Sequence, residues 1–144
     1  MVRKATKDDS LVLAEMANHM WDSHTVCELE TEFNKILNDE HAALFIKCIN
    51  NIPVGFAQCG LRTDYVEGTE SSPVGYLEGI FVNEEHRKNG YAKQLLCACE
   101  KWAKEMGCIE FASDCELDNI DSLKFHMAMG FDEANRIICF KKFL

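Results

Sequence analysis

Apolar residues recur along this chain with two periods. Leu13, Met16, Ala17 and Met20 follow helical spacing, as do Val26, Leu29, Phe33, Ile36 and Leu37. The pattern predicts two helices, α1 and α2, broken near Asp22 and Ser23, after an opening strand β1 over residues 1–6. Residues 42–49 and 54–61 are mostly apolar and are joined by Asn50, Asn51, Ile52 and Pro53, which predicts an antiparallel hairpin, β2 and β3. A polar loop with Gly68 and Pro73 fills 63–73, and an apolar strand β4 follows over 76–82, interrupted by Glu78. From Tyr91 onward, Leu95, Leu96, Cys99, Trp102, Ala103 and Met106 trace one face of a helix α3 that Gly107 closes. Residues 108–114 read as a strand β5, and Asp118 or Asn119 caps a helix α4 that runs to Met129. Gly130 and Phe131 then lead to a final strand pair, β6 and β7, ending in 137–140.

The expected order is β1-α1-α2-β2-β3-β4-α3-β5-α4-β6-β7, an α/β chain. A strand, a crossover helix and a strand over 76–114 imply one parallel pair, β4/β5, inside a mostly antiparallel mixed sheet. With 144 residues, 47% of them apolar, and no linker-like stretch, one domain over 1–144 is expected. No secretory apolar region and no membrane-length apolar run is present, so the reading is a soluble, unexported protein. Eight cysteines lack the spacing of a zinc site and fall mostly inside predicted elements, so no metal is expected and reduced thiols point to the cytoplasm. A net charge of −9 argues against nucleic acid and anionic membrane as partners. It favours a cationic ligand only if carboxylates converge on a cleft.

The densest chemical signal is the turn Arg87, Lys88, Asn89, Gly90, Tyr91 and Ala92, set between an apolar strand and an amphipathic helix. A glycine turn at a helix N-terminus directs backbone N–H groups and the positive end of the helix dipole at one spot, which suits phosphate. Neither the glycine pattern of a dinucleotide fold nor the Gly-Lys-Ser/Thr of a nucleotide P-loop is present, so another phosphate carrier is implied, with coenzyme A as the candidate. With Asn119 and the Gly130, Phe131 pair downstream, the chain resembles the GCN5-related N-acetyltransferase (GNAT) superfamily over nearly its whole length. Segments 64–73, 76–82 and 111–114, together with Trp21 and His24, resemble more narrowly the chromosomal-type aminoglycoside 6'-N-acetyltransferases.

The resemblance implies a fold whose β4 and β5 splay at their C-terminal ends to admit the pantetheine arm of acetyl-CoA, a cosubstrate. Ile80, Phe81 and Val82 would supply the β4 edge, Lys88, Asn89, Gly90, Tyr91, Ala92 and Lys93 the coenzyme contacts, and Asn119 would reach the pantetheine or thioester end. For Asn119 the plainer alternative is a helix N-cap. Drug-binding positions would fall on Trp21, His24, Tyr65, Glu78, Asp114 and Asn135. Asn135 departs from relatives that carry an acid there. His126 stands where many members place tyrosine, and a packed helix residue is the preferred reading for it. Relatives of this kind are commonly dimers, and an exposed C-terminal strand suits pairing between subunits.

Acetyl transfer needs an amine without its proton, whereas an aliphatic ammonium has a pKa of about 10. A carboxylate beside the wedge both attracts the cation and takes the proton, directly or through water, and a β4 backbone N–H holds the developing oxyanion. Glu78 and Asp114 are the two candidate catalytic acids. Each keeps a plainer reading, a solvated strand face for Glu78 and a turn residue for Asp114, as Trp21 does in the core and His24 on the surface. The implied function is acetyl-CoA-dependent acetylation of an aminoglycoside 6'-amine, which confers antibiotic resistance. The alternatives are acetylation of another small polyamine or metabolite, and a non-catalytic acetyl-CoA-binding module.

Overall fold

The computed structural model describes residues 1–144. Its elements are β1 (Val2–Lys4), α1 (Ser10–Asn18), α2 (Val26–Leu37), β2 (Ala42–Ile49), β3 (Ile52–Arg62), β4 (Val74–Val82), α3 (Tyr91–Glu105), β5 (Phe111–Ser113) and α4 (Ile120–Ala128), with single 3-10 turns at Lys7–Asp9 and Glu84–His86. Five strands form one sheet in the order β1-β2-β3-β4-β5, antiparallel throughout except for the parallel β4/β5 pair. The mixed sheet with its parallel pair is the arrangement read from the sequence.

Local chemistry sets several boundaries. Asn50 and Asn51 both take positive φ (50° and 65°), and Ile49 pairs with Ile52. Two asparagines in this conformation make the tight turn whose twist matches a hairpin, so β3 begins at Ile52 rather than at 54. Thr25 caps α2: its hydroxyl accepts from the Glu28 N–H at 3.1 Å, and the Glu28 carboxylate accepts from the Thr25 N–H at 2.9 Å. Gly107 takes φ +90° one residue past the Met106 cap and stops α3.

The sheet is covered on both faces. Leu13, Phe33, Ile46 and Phe56 are buried against α1 and α2, while Ala57, Cys59, Leu95, Leu96 and Cys99 are buried beneath α3. Phe56 and Ala57 point to opposite faces because side chains alternate along a strand, and double coverage is why β2 to β4 read as nearly continuous apolar runs.

Two expectations are corrected. β5 spans Phe111–Ser113 only; just before it the Glu110 carbonyl still accepts from the Gly75 N–H of β4 at 3.1 Å, while its carboxylate accepts from the backbone N–H groups of Glu70 and Ser71 at 2.9 and 2.7 Å. The strand pair β6/β7 is not formed. Residues 131–144 carry no regular structure, and Ile137, Ile138, Phe140 and Phe143 are exposed. An alternating apolar segment becomes a strand only when an edge pairs with it, and no strand of this chain does so.

Candidate active site

β5 pairs with β4 only through Gly75 with Phe111, Tyr76 with Ala112 and Leu77 with Ser113. From Glu78 to Val82, β4 runs on with no strand on that side, so the backbone at Ile80, Phe81 and Val82 borders a cleft. Val82 and Ile80 pack toward α3 and Phe81 toward α1, so these side chains are core while their edge is open.

Beyond that edge the chain turns into α3. Gly90 has φ +75° and nothing within 4 Å of where a Cβ would stand, so the left-handed turn, not crowding, calls for glycine there. Lys88 takes φ 61° in the same turn. Arg87 Nε donates to the Val82 carbonyl at 3.0 Å, and Asn89 Nδ2 donates to the His86 and Arg87 carbonyls at 3.0 and 3.1 Å. The turn is thus tied by its own side chains, and the first amides of α3 have no intrahelical acceptor. A groove of about 240 Å3 lies beside it, lined by Val82, Arg87, Lys88, Gly90, Tyr91, Ala92 and Lys93 on one side and by Phe125 of α4 and Met129 just past its end on the other. Free amides and lysines at one end with apolar walls behind suit a molecule that joins phosphates to an apolar arm. Asn119 Oδ1 accepts from the Ser122 N–H at 3.1 Å and caps α4, which leaves the side-chain NH2 unengaged. No group of three His, Cys, Asp or Glu side chains is arranged to hold a metal ion.

The two acids are linked. Gln58 pairs with Gly79 and Cys59 with Leu77, so Glu78 is an extra residue in β4, a bulge that re-aims the side chains around it. Arg62 grips the Glu78 carboxylate, with Nη2 at 3.0 and 3.1 Å from its two oxygens and Nε at 3.3 Å. The same guanidinium lies 3.4 Å above the Tyr76 ring centre, and the Tyr76 hydroxyl donates to Asp114. Burial first, and then the hydrogen bond to Asp114, push the Tyr76 phenol well above its usual range, so it stays a protonated donor. Glu78, Arg62, Tyr76 and Asp114 form one chain where β4 and β5 part.

A second tie closes the same fork. Ser113 Oγ lies 3.3 Å from the Leu77 carbonyl and 2.8 Å from His126 Nε2, while His126 Nδ1 sits 2.7 Å from the Ser122 carbonyl. A carbonyl only accepts, so Nδ1 carries the hydrogen toward Ser122, and the single Ser113 hydroxyl hydrogen serves the Leu77 carbonyl or His126 Nε2 but not both at once. His126 also packs edge-on to Phe131, with ring centres 5.2 Å apart, and so joins α4 to β5.

Trp21 is half-buried against Phe33 and Phe56, and its ring lies over Gly79, where a Cβ would come within 2.9 Å of it. Glycine at 79 therefore lets an indole rest beside the Glu78 bulge, so Trp21 packs in the core and also borders the β4 bulge. His24 faces Glu28, with Nδ1 to Oε2 at 3.7 Å, rather than the two acids. Tyr65 is 77% exposed on the β3–β4 loop, which Glu110 pins through Glu70 and Ser71. Asn135 donates to Glu67 of that loop at 3.0 Å, so it stands with Tyr65's segment and not with Glu78 or Asp114.

Arg62, Tyr76, Ser113 and Glu110 were not legible as site residues. A signal existed for the first two: Arg62 alternates onto the face of Gln58 and Gly60, and Tyr76 lies two positions before Glu78.

Residues 13–131 match the family model described as the acetyltransferase (GNAT) family. The chain is 40% identical over 127 residues to an aminoglycoside N(6')-acetyltransferase type 1 from Salmonella typhimurium strain LT2, covering 88% of each. Among solved structures, AAC(6')-Iy in complex with the bisubstrate analog CoA-S-monomethyl-acetylneamine is 37% identical, with a TM-score of 0.95 over 100% of this chain and 98% of that one. The aminoglycoside 6'-N-acetyltransferase AAC(6')-IG from Acinetobacter haemolyticus is 33% identical, with a TM-score of 0.95 over 100% and 99%.

Proposed function

The chain belongs to the acetyltransferase (GNAT) family, and from that premise we propose that it transfers the acetyl group of acetyl-CoA to the 6'-amine of an aminoglycoside. The observation that carries the reading is the pair of carboxylates, Glu78 and Asp114, joined through Arg62 and Tyr76 at the mouth of the cleft along the free β4 edge. The named activities of the relatives, including one solved with a CoA-linked aminoglycoside analog, support the same substrates. The turn from Lys88 to Lys93 receives the diphosphate, the edge at Ile80, Phe81 and Val82 pairs with the amides of the pantetheine arm, and Asn119 turns its free amide toward the thioester end.

Asp114 and Glu78 hold the ammonium and take its proton as the amine attacks the thioester directly, and a β4 N–H holds the carbonyl oxygen as charge builds on it. Trp21 and Tyr65 supply flat surfaces for sugar rings, and His24 and Asn135 border the outer part of the site. Acetylation removes a positive charge from the drug and enlarges it, which is the basis of resistance. The decisive experiment is turnover of 6'-amino aminoglycosides against 6'-hydroxyl analogues, spermidine and peptides, with the new amide located by NMR. No turnover of the 6'-amino drugs overturns the reading.

The same reading takes residues 1–144 as one catalytic domain that acts as a cytoplasmic homodimer. All eight cysteines are unpaired, and no helix is long and apolar enough to cross a membrane. The exposed apolar arm 131–144 and the free outer edge of β5 support pairing with a second copy. Sedimentation should give a dimer, which Ile138→Lys with Phe140→Lys would weaken.

A further inference from the structure

Glu78 already holds a cation. Arg62, the last residue of β3, alternates onto the same face as Phe56, Gln58 and Gly60, and reaches both oxygens of the carboxylate with Nη2. An ammonium brought to Glu78 meets that guanidinium within a few ångströms and competes with it for the same lone pairs. The pair is built to be displaced. Its side chains are 43% and 33% exposed, and no backbone donor reinforces the carboxylate, so it has the character of a surface ion pair that solvent screens. When Arg62 leaves Glu78 the Tyr76 face still offers it a resting place, since its guanidinium carbon already lies 3.4 Å from the ring centre.

We propose that Arg62 is a resident cation that occupies the Glu78 ammonium seat in the free protein, and that an incoming amine must replace it. This rests on the reading that Glu78 receives a substrate ammonium. Arg62 is then a specificity-determining residue: it weakens every acceptor that uses Glu78 and leaves untouched any that does not. It also keeps the carboxylate aimed and neutralised between turnovers.

The test compares Arg62→Met and Arg62→Lys in the wild-type and Glu78→Gln backgrounds, with KM and kcat for a 6'-amino aminoglycoside and the calorimetric Kd of that drug. Methionine keeps the apolar stem and removes the competitor. For Arg62→Met, KM and Kd are expected to fall about two- to fivefold with kcat unchanged, the range set by loss of one exposed ion pair. Arg62→Lys keeps a competing cation but loses the bidentate, stacked grip, so its KM should fall between those of wild type and Arg62→Met. In Glu78→Gln the Arg62→Met change should have little effect, because the seat is gone. Free methylguanidinium should inhibit Arg62→Met competitively with the drug and leave the wild type unaffected. A KM that rises, stays level, or falls equally in the Glu78→Gln background overturns the proposal. So does a loss of kcat in both Arg62 variants, which marks Arg62 as a prop for Glu78. Absence of drug turnover in the unaltered protein overturns the proposed acceptor itself and this inference with it, whereas normal turnover with an unmoved KM overturns only the role of Arg62.

Discussion

Two arginine–carboxylate pairs in this chain have nearly the same contact distances and opposite consequences. Arg3 meets Asp9 with two hydrogen bonds of 2.8 Å, and Arg62 meets Glu78 at 3.0 and 3.1 Å. Around Asp9 the Thr6 N–H donates at 2.7 Å and its hydroxyl at 3.1 Å, and the carboxylate side chain is only 11% exposed. Glu78 has no donor besides Arg62, and its side chain is 33% exposed. Extra donors and burial turn the first pair into structure, anchoring the first strand to the turn before α1. Their lack leaves the second pair freer to exchange partners, which the proposed ammonium seat at Glu78 requires. Distance alone does not separate a stabilising ion pair from a functional one.

The largest effect should come from the acid that lies at the other end of the Glu78 chain. Asp114→Asn keeps the shape and still accepts from Tyr76, yet cannot take a proton. With Asp114 as the proton acceptor, kcat should fall about a hundredfold or more with the melting temperature nearly unchanged. Steady-state kinetics beside a thermal melt check this. An unchanged kcat would move the proton-accepting role to Glu78 or to water.

Asp9→Asn should do the reverse, lowering stability and sparing turnover. The hydrogen bonds from Arg3, and then those from Thr6, hold the Asp9 carboxyl at about 2 instead of an ordinary 3.8. That difference corresponds to about 2 kcal/mol. Because the folded value is depressed, the stabilisation is fully present above the unfolded value near 4 and is lost as pH falls through about 2. Urea midpoints of wild type and Asp9→Asn should therefore differ fully at pH 7 and 5 and converge between pH 4 and 2. A gap that is constant with pH would mean that the cost comes from shape and not from charge.

Much of the second pair's setting was legible, but the pair itself was not. Glu78 stood out as a charge inside an apolar strand, and the Lys88 to Lys93 turn stood out because a strand, a glycine and an amphipathic helix are local signals. Arg62 is sixteen residues away across an antiparallel pairing, and the bulge at Glu78 decides which face each residue takes. Register is a property of two strands together, so neither segment announces it. Asp9 was hidden for a related reason, since its partner reaches it across a turn that only the fold closes. The arm 131–144 shows the opposite failure: its apolar alternation was readable, while the edge that would pair with it is not supplied by the strands of this chain. Asn135 accordingly lies by Glu67 and away from the acids.

The smallest expected effect is the most discriminating one between the two arginines. Arg62→Met removes an exposed ion pair and a cation–π contact, which are worth under about 1 kcal/mol each at the surface. The loss is offset in part because Glu78 then faces solvent, where a carboxylate is well hydrated. Arg3→Met leaves Asp9 largely covered, with a charge that only Thr6 partners, so it should cost about as much as Asp9→Asn or more. Chemical denaturation at pH 7 should thus rank Arg3→Met well below Arg62→Met in stability, although each removes one guanidinium from one carboxylate. The ranking should narrow as the pH is lowered, because without Arg3, which depresses it most, Asp9 takes up its proton at a higher pH than in the wild type and the burden left by Arg3 is relieved. Equal losses for the two variants at neutral pH would show that Glu78 is held as firmly as Asp9, and would leave no room for a substrate ammonium to replace Arg62.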